Sequence, residues 1–306
     1  MRRGGPVKNV TRAKISLPLL LLLAVLIVVP VSAQNRPYPN DFSGHWVPLF
    51  HEDDPDRGPG PALGQYEEMP INDDARARAM TWDASIQGLP EWRCRPHSAD
   101  YAVRSPQHEQ IWAVWDDITR EVKEWHIANE RDSSDRVIYM DGRPHPGPNA
   151  PHTWSGFSTG EWIGDILKVT TTHLKEGYVR RNGVPISDER TFNDYLMRRD
   201  DGYLTWVTII NDPVYLAEPW IWTTEFKLDP YGRVDAAPCV VSEEETRAGG
   251  EGQYGFVPHF LPGQNPYIDE FAIENGLPIE ATRGGPETTR PDYREKMKTM
   301  KPAVAK

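Results

Sequence analysis

Short runs in which apolar and polar residues alternate follow one another through the middle of the chain. A hairpin around Asp116–Asp117 is predicted by two of them, EQIWAVWDD and REVKEWHIA, and the next strand by RVIYM. A further strand is predicted by DILKVTTTHL, which is rich in β-branched residues. The clearest hairpin joins ERTFNDYLMRR to YLTWVTIIND through Asp201–Gly202, a dipeptide that suits a tight turn. Strands at this short spacing indicate an antiparallel meander, because parallel strands need long crossover connections.

Further strands and helices are predicted on both sides of this region. A first strand is predicted by DFSGHWVPLF and a last one by YLAEPWIWTTEFKLD, and INDDARARAMTWDA predicts a helix that Asn72 caps. From about Glu243 the sequence is charged, glycine-rich and irregular, apart from a short helix predicted by YIDEFAIENG and ended by Gly276. The basic tail from Arg294 is expected to be frayed. We therefore expect a β domain at residues 34–242, and at residues 243–306 an appendage that packs on it.

The first predicted strand contains Gly44-His45-Trp46, which resembles the Gly-x-Trp opening strand of lipocalin-like barrels. The resemblance implies that Trp46 closes one end of a barrel and that a later arginine, with Arg233 as the candidate, stacks on it. A core tryptophan in another β fold would give the same short pattern. The fold class that we predict is mainly β: an antiparallel lipocalin-like barrel or a strongly bent sandwich, with one N-terminal-side helix and an irregular C-terminal appendage.

The N-terminal segment has the features of a secretory signal peptide at residues 1–33. Basic residues precede the apolar run LPLLLLLAVLIVV, and Val31-Ser32-Ala33 suits cleavage after Ala33. A retained membrane anchor is the alternative, although the run is shorter than the roughly 20 residues that a spanning helix needs. We predict a periplasmic or secreted protein. With export we expect a disulfide between Cys94 and Cys239, the two cysteines of the chain.

Net charge limits the partners of the mature protein. The whole chain carries −11, and the five basic residues of the leader contribute +5, so removal of the leader leaves about −16. A balance this acidic does not suit nucleic acid or an anionic membrane surface. We therefore expect a small-molecule ligand, no nucleic acid and no stable membrane insertion after cleavage.

Chemically capable side chains concentrate between residues 141 and 181. His145 and His152 flank a loop, PGPNAP, that its prolines make rigid, and we expect it to line a ligand pocket at the mouth of the barrel. In this hypothesis a histidine transfers a proton, Asp141 orients it and Arg143 holds an anionic group. A turn former and a surface salt bridge are the alternatives for Asp141 and Arg143. Predicted ligand contacts come from Trp154, Trp162, Ser158, Lys175 and Arg180.

A second hypothesis for the same histidines is that they bind a divalent metal such as zinc. His173 ends a predicted strand near the loop, so His145, His152 and His173 are candidate ligands. Three imidazoles with an open fourth position lower the pKa of bound water to about 7. None of the spacings is a short-range metal motif, and ordinary loop histidines that hydrogen-bond to the backbone remain the alternative.

Longer segments resemble a group of exported bacterial proteins of unknown function. The likeness covers roughly residues 41–293 and rests on YMDGRPHP, HTWSGFSTGEWIGDILKVTTTHLKEGYVRRNG, INDPVYLAEPW, and VPHFLPGQNP with RGGPETTRPDY. It implies export, a single β-rich domain and a C-terminal segment that belongs to the fold. It brings no activity and no cofactor.

Two classes of function remain. The first is an exported small-molecule-binding protein with an aromatic- and histidine-lined pocket at the end of a β-barrel. The second is a hydrolase or lyase that acts on a small cyclic, aromatic or carbohydrate substrate, with histidine acid–base groups or a histidine-bound metal. Binding is favoured because no catalytic constellation stands out by spacing. Gly156-x-Ser158-x-Gly160 has the spacing of a nucleophile elbow, but a strand-like run follows it where that motif needs a helix.

Overall fold

The computed structural model describes residues 41–49, 61–82, 95–104, 106–129, 135–179, 182–233, 261 and 264–305. Within these ranges the strands are β1 (Gly44–Leu49), β2 (Glu109–Trp115), β3 (Val122–Asn129), β4 (Arg136–Tyr139), β5 (Phe157–Ile163), β6 (Ile166–Thr172), β7 (Gly177–Tyr178), β8 (Pro185–Ile186), β9 (Thr191–Arg198), β10 (Tyr203–Asn211) and β11 (Trp220–Leu228). The helices are α1 (Asp73–Ala79), α2 (Tyr267–Asn275), α3 (Ile279–Thr282) and α4 (Pro291–Met297), with 3₁₀ helices at Ala99–Arg104 and Pro286–Thr289. The expected leader, Cys94, Cys239, Arg180 and the expected boundary at residues 242–243 lie outside the described residues.

Nine of the described strands close into a barrel in the order β1-β11-β10-β9-β6-β5-β4-β3-β2. Antiparallel neighbours alternate in direction, so a ring with an odd number of strands cannot close through antiparallel pairs alone. The parallel pair is β4–β5, where Ile138 lies opposite Ser158. The predicted hairpins β2–β3 and β9–β10 are confirmed. The mainly β barrel is therefore confirmed, and the uninterrupted antiparallel meander is corrected at β4–β5.

Alternate residues of each strand point into the barrel, because successive side chains of a strand lie on opposite faces. The two ends of the interior differ. At the Trp46 end, where β1 begins and β11 finishes, the inward residues are apolar: Trp125, Leu196, Leu204 and Phe226. At the Arg136 end, where β4 and β9 begin, the inward residues include Arg136, Ser158, Thr171 and Asp194.

Trp46 is fully buried, and its Nε1 donates to the carbonyl oxygen of Phe42 at 2.8 Å. The guanidinium carbon of Arg198 lies 5.8 Å from the centroid of the Trp46 ring system. Arg233, the arginine predicted for this place, is exposed and lies beyond the end of β11. The choice of Arg233 was therefore wrong: Arg198 ends β9 on the inward face, two residues after buried Leu196, whereas residue 233 has left the sheet.

A cap of short elements joins the hydrophobic core at the Arg136 end. Its buried side chains, which form one cluster with the barrel core, include Met69, Ile71, Val103, Leu174 and Leu216. The predicted helix α1 belongs to this cap, and its N-cap is confirmed because the side chain of Asn72 accepts a hydrogen bond from the backbone N–H of Ala75 at 2.9 Å.

A buried ion pair holds the 3₁₀ helix Ala99–Arg104 in the cap. Arg190 Nε lies 3.0 Å from Asp100 Oδ2, and both side chains are almost fully inaccessible to solvent. Burial alone would raise the pKa of Asp100, but the charge and hydrogen bonds of Arg190 hold it below its ordinary value. The same 3₁₀ helix enters the end of the barrel, since the inward-pointing Thr224 Oγ1 of β11 donates to the carbonyl oxygen of Val103 at 2.6 Å.

The described part of the C-terminal appendage contains the predicted helix α2 and also α3 and α4, so it is more helical than expected. Helix α2 ends at Gly276, as predicted, because this glycine takes a left-handed conformation at φ 63°. The appendage packs on the cap through the backbone N–H of Tyr66, which donates to the carbonyl oxygen of Thr282 at 3.1 Å. The basic tail from Arg294, expected to be frayed, begins within α4, where Tyr293 is buried, and the Ala303 N–H donates to the Leu277 carbonyl oxygen at 2.9 Å. The described residues from Phe42 onwards form one compact unit.

Across the described ranges, no helix has both the length and the apolar character needed to cross a bilayer.

Candidate functional site

The histidine-flanked PGPNAP segment that the sequence singles out lies in the loop at residues 140–156, which is the crossover connection of the parallel pair β4–β5. A parallel pair requires the chain to travel back to the starting end, which takes about a dozen residues or more. The loop does this over the outside of the barrel: His145 bonds to Thr159 and Thr172, whose neighbours Ser158 and Thr171 point inward. The histidine loop therefore covers the outer wall, and its expected place at the mouth of the barrel interior is corrected.

His145, Thr172 and His173 form a continuous chain of hydrogen bonds. Nδ1 and Nε2 of His145 lie 2.8 Å from Thr172 Oγ1 and 2.9 Å from Thr159 Oγ1, respectively. Nδ1 of His173 lies 2.7 Å from the same Thr172 oxygen, and its Nε2 lies 2.9 Å from the carbonyl oxygen of Gly147. Because a carbonyl oxygen only accepts, neutral His173 carries its proton on Nε2.

This assignment fixes the donor and acceptor of every hydrogen bond in the series when both histidines are neutral. The Thr172 hydroxyl donates to His173 Nδ1, His145 Nδ1–H donates to Thr172, and the Thr159 hydroxyl donates to His145 Nε2. Burial and, to a smaller extent, the neighbouring His173 hold the pKa of His145 below its ordinary value. The arrangement therefore favours neutral imidazole at His145.

His152 is the third histidine of this group. Its ring lies 5.2 Å from that of His173 between centroids, and its Nδ1 lies 2.9 Å from the carbonyl oxygen of Leu174. The three predicted histidines therefore come together, with five of their ring nitrogens engaged by hydroxyl or carbonyl oxygens. In the part of the chain that the structure describes, no group of three or more His, Cys, Asp or Glu side chains is arranged to hold a metal ion. The geometry favours the hydrogen-bonding alternative for these histidines.

Asp141 and Arg143 pair with each other on the surface. Arg143 Nε lies 2.8 Å from Asp141 Oδ1, and its guanidinium carbon lies 3.7 Å from the ring centroid of Tyr139. The hydrogen bond from Arg143 lowers the pKa of Asp141 to about 2. Both ring nitrogens of His145 are held by threonines, so Asp141 does not orient that histidine. The salt-bridge alternative describes this pair.

The residues that were predicted to contact a ligand do not lie together in the structure. Trp154 precedes β5, with Lys175 Nζ 5.4 Å from its ring centroid, whereas Trp162 lies near the far end of β5 and stacks on Phe42 at 5.9 Å. Ser158 points into the barrel and is buried. These residues therefore do not form one outer site, and Ser158 belongs to the interior.

A cluster of buried polar side chains inside the barrel was missed by sequence reasoning. Arg136 and Asp194 are 3% and 1% exposed, and Arg136 Nη2 lies 2.6 Å from Asp194 Oδ2. The guanidinium carbon of Arg136 also lies 4.9 Å from the ring centroid of Phe192. Two charges are thus enclosed in the barrel as a direct pair, which limits the cost of removing them from water.

Further hydrogen bonds extend this pair. Arg136 donates from Nε to Ser158 Oγ at 3.2 Å and from Nη2 to Thr171 Oγ1 at 2.8 Å. On the other side, Asp194 Oδ1 accepts from Trp206 Nε1 at 2.9 Å and from the hydroxyl of Thr208. The carboxylate is therefore fully engaged, while one guanidinium nitrogen is not.

Three buried donor atoms inside the barrel have no hydrogen-bond partner among the described residues: Arg136 Nη1, Trp222 Nε1 and Trp125 Nε1. Trp222 lies opposite Thr208, which lies opposite Asp194, so Trp222 shares the level of the ion pair. Trp125 lies nearer the Trp46 end. A buried donor left unsatisfied costs about 1–3 kcal/mol, so such groups normally meet protein, water or ligand. The barrel interior therefore contains unused hydrogen-bond donors.

The signal for this cluster was present in the strand patterns. Arg136 shares its face of β4 with buried Ile138, and Asp194 shares its face of β9 with buried Phe192 and Leu196. A charged residue in the apolar half of an alternating strand predicts a buried polar contact, but the partner strand cannot be identified from one strand alone.

Comparison of the sequence with protein-family models and with curated proteins finds no match.

Proposed function

We propose that this protein is an exported binding protein that holds a small molecule inside its barrel. The observation that carries the proposal is the set of buried donors, Arg136 Nη1, Trp222 Nε1 and Trp125 Nε1, for which no described residue supplies an acceptor. Of the site residues predicted from the sequence, Ser158 belongs to this site through its hydrogen bond with Arg136. The histidines belong to the outer wall.

The chemistry of the interior defines the class of ligand. The three unused groups are donors, so the ligand supplies acceptor oxygens. Asp194 neutralises Arg136 at 2.6 Å, so a carbonyl, ether or hydroxyl oxygen suits the site without a full negative charge. Trp220 and Trp222, with ring centroids 4.9 Å apart, supply aromatic surface beside these donors. The proposed ligand is a cyclic or aromatic compound with one or two oxygen functions.

Tryptophan fluorescence tests this proposal with a panel of cyclic compounds, each in an oxygenated and a matched hydrocarbon form. We expect at least one oxygenated compound to change the emission and to raise Tm. It should bind about 10-fold or more tightly than its hydrocarbon counterpart, because the buried hydrogen bond that the hydrocarbon leaves unmade costs about 1–3 kcal/mol. A panel that leaves emission and Tm unchanged contradicts the proposal.

Two tryptophan variants locate the site. Trp222→Phe keeps an aromatic ring and removes the indole N–H, so we expect affinity for the oxygenated compound to fall about 10-fold. The matched control is Trp115→Phe, since Trp115 is 39% exposed at the end of β2. Equal affinities for the two variants and the wild type would place the ligand elsewhere.

Export is the part of the proposal that rests on the leader. If residues 1–33 are removed, intact-mass measurement of the protein from the producing cell's periplasm or medium should give a chain that begins at Gln34. Oxidation of Cys94 and Cys239 should lower that mass by about two daltons and be reversed by a reductant. A full-length, cell-retained chain would contradict export.

Acid–base chemistry by a hydrolase or lyase at the outer wall is the second candidate. It is favoured by the chain that links Thr159, His145, Thr172 and His173, because neutral His145 can accept a proton and pass one on through Thr172. Screening of ester and lactone hydrolysis with wild type and His145→Gln tests it. Activity that is equal in the two proteins, or absent from both, removes this candidate.

A further inference from the structure

A cavity lies between the cap and the C-terminal helices. Its volume is about 370 Å³, and none of its lining residues belongs to a barrel strand. Leu277, Pro278 and Ala281 supply apolar wall at the junction of α2 and α3, and Met297 supplies it from α4. This volume falls in the range of small-molecule sites, about 300–1,000 Å³.

The rim of this cavity contains a residue in a costly backbone conformation. Glu68 has φ 60°, in the left-handed region, and its backbone N–H donates to Thr288 Oγ1 at 3.1 Å. Its carboxylate pairs with Arg294 of α4 across the rim. Such a conformation costs on the order of 1–3 kcal/mol in a residue with a side chain and is concentrated at functional sites such as ligand clamps. The backbone of Glu68 is therefore held in this conformation by the surrounding structure.

The two cations at the rim are already paired. Arg294 faces Glu68, and Lys298 Nζ lies 2.7 Å from Glu295 Oε1. With its cations matched and its walls apolar, the cavity offers no charge complementarity to an anionic ligand. A neutral molecule that buries its surface against Leu277, Ala281 and Met297 fits it best.

We propose that this cavity is a second binding site, separate from the barrel, that takes a compact neutral apolar molecule of one or two rings. Met297 lies half-buried on the wall, and its unbranched thioether adapts to ligands of different shape. Glu68 and Arg294 form the polar rim over this apolar contact. The site differs from the barrel interior, where unused donors demand an oxygenated ligand.

Naphthalene is a suitable probe, observed through the methyl signals of ¹³C-methyl-methionine in the full chain. We expect the Met297 methyl resonance, assigned with Met297→Leu, to shift through the ring current of the bound aromatic. The shift should saturate with naphthalene and be smaller with 1-naphthoate at equal concentration. This measurement needs no variant for the binding itself, so it does not depend on how a substitution folds.

Two variants of α4 give a matched comparison. Met297→Trp fills the cavity, so naphthalene affinity should fall about 10-fold or more, whereas Lys296→Trp places the same side chain at an exposed neighbouring position that does not line the cavity and should leave affinity unchanged. Trp222→Phe should also leave it unchanged, which separates this site from the barrel. The proposal is overturned by an unshifted Met297 signal, by equal affinities of the two α4 variants, or by tighter binding of naphthoate than of naphthalene.

Discussion

A few polar residues that point inward make part of the barrel interior polar. Arg136 and Asp194 come from strands that are not neighbours, and their side chains meet in the space enclosed by the barrel. The same residue types on the outer wall, Arg143 and Asp141, form a half-exposed pair that water screens. Burial therefore makes one arginine–carboxylate pair important for folding and the other nearly neutral.

Asp194→Asn should lower the free energy of unfolding by about 3 kcal/mol or more, because it leaves the charge of buried Arg136 uncompensated. Chemical denaturation measures this, with Asp141→Asn as the control that should produce little change. The double variant Arg136→Met, Asp194→Leu should cost less than the sum of the two single changes, since it removes both charges. Additive losses would show that the pair is not coupled.

Because of His145, the stability of the folded protein should decrease as the pH falls. The pKa of His145 in the folded protein lies below its ordinary value of about 6.5, so the unfolded chain takes up this proton more readily. The stabilising contribution is fully present above about pH 6.5 and is lost as the pH falls below that value towards the lowered pKa. Thermal unfolding at about pH 8 and about pH 5 should show a smaller loss of Tm in His145→Gln than in the wild type. Equal losses would rule out this residue as a source of the pH dependence.

At the scale of elements, the parallel pair β4–β5 explains why the Pro- and Gly-rich segment exists. The chain must return over the outer wall before β5 begins, and Gly156, at φ 68°, stands just before the first residue of that strand. A Cβ at Gly156 would lie 2.7 Å from the carbonyl oxygen of Thr172 and 2.8 Å from Thr171 Cγ2. Close approach of two backbones therefore requires glycine at the end of the crossover.

Gly156→Ala should lower the free energy of unfolding by about 2 kcal/mol or more, through both the left-handed conformation and the contact with β6. Gly142→Ala is its matched control, because Gly142 has nearly the same φ, 71°, and a Cβ there meets nothing within 4 Å. That variant should lose only about 1 kcal/mol, the cost of the backbone conformation. Urea denaturation compares the two, and equal losses would show that the contact with β6 contributes nothing.

At the scale of the whole molecule, the C-terminal helices stabilise the cap that covers the Arg136 end. Gly285 N–H donates to the carbonyl oxygen of Met69 at 2.8 Å, and Ile268 of α2 belongs to the same hydrophobic cluster as the barrel. The appendage and the barrel therefore share one core.

Tyr293→Ala should lower the free energy of unfolding by about 3 kcal/mol, because Tyr293 is 7% exposed and its removal leaves a cavity beneath α4. Tyr231→Ala, at a residue 90% exposed, should change it by less than about 0.5 kcal/mol. Scanning calorimetry should also show one cooperative transition for barrel and appendage. A separate early transition in wild type would show that the appendage unfolds alone.

The sequence by itself determined the local features of this protein. The alternation of apolar and polar residues identified the hairpins β2–β3 and β9–β10, Asn72 identified the start of α1, and Gly276 identified the end of α2. These features depend on residues a few positions apart, so a pattern along the chain is sufficient to find them. Loop 140–156 was recognised as unusual for the same reason.

Only the tertiary structure decided which face of each strand became the interior and how the ring closed. The parallel pair follows from closing nine strands, a property that no single segment contains. Thr159 and Thr172 point outward and Ser158 and Thr171 inward, so the histidines met the outer wall and Arg136 met Asp194 across the barrel. Alternation defines two faces for every strand, but burial is assigned to one of them only when distant strands come together.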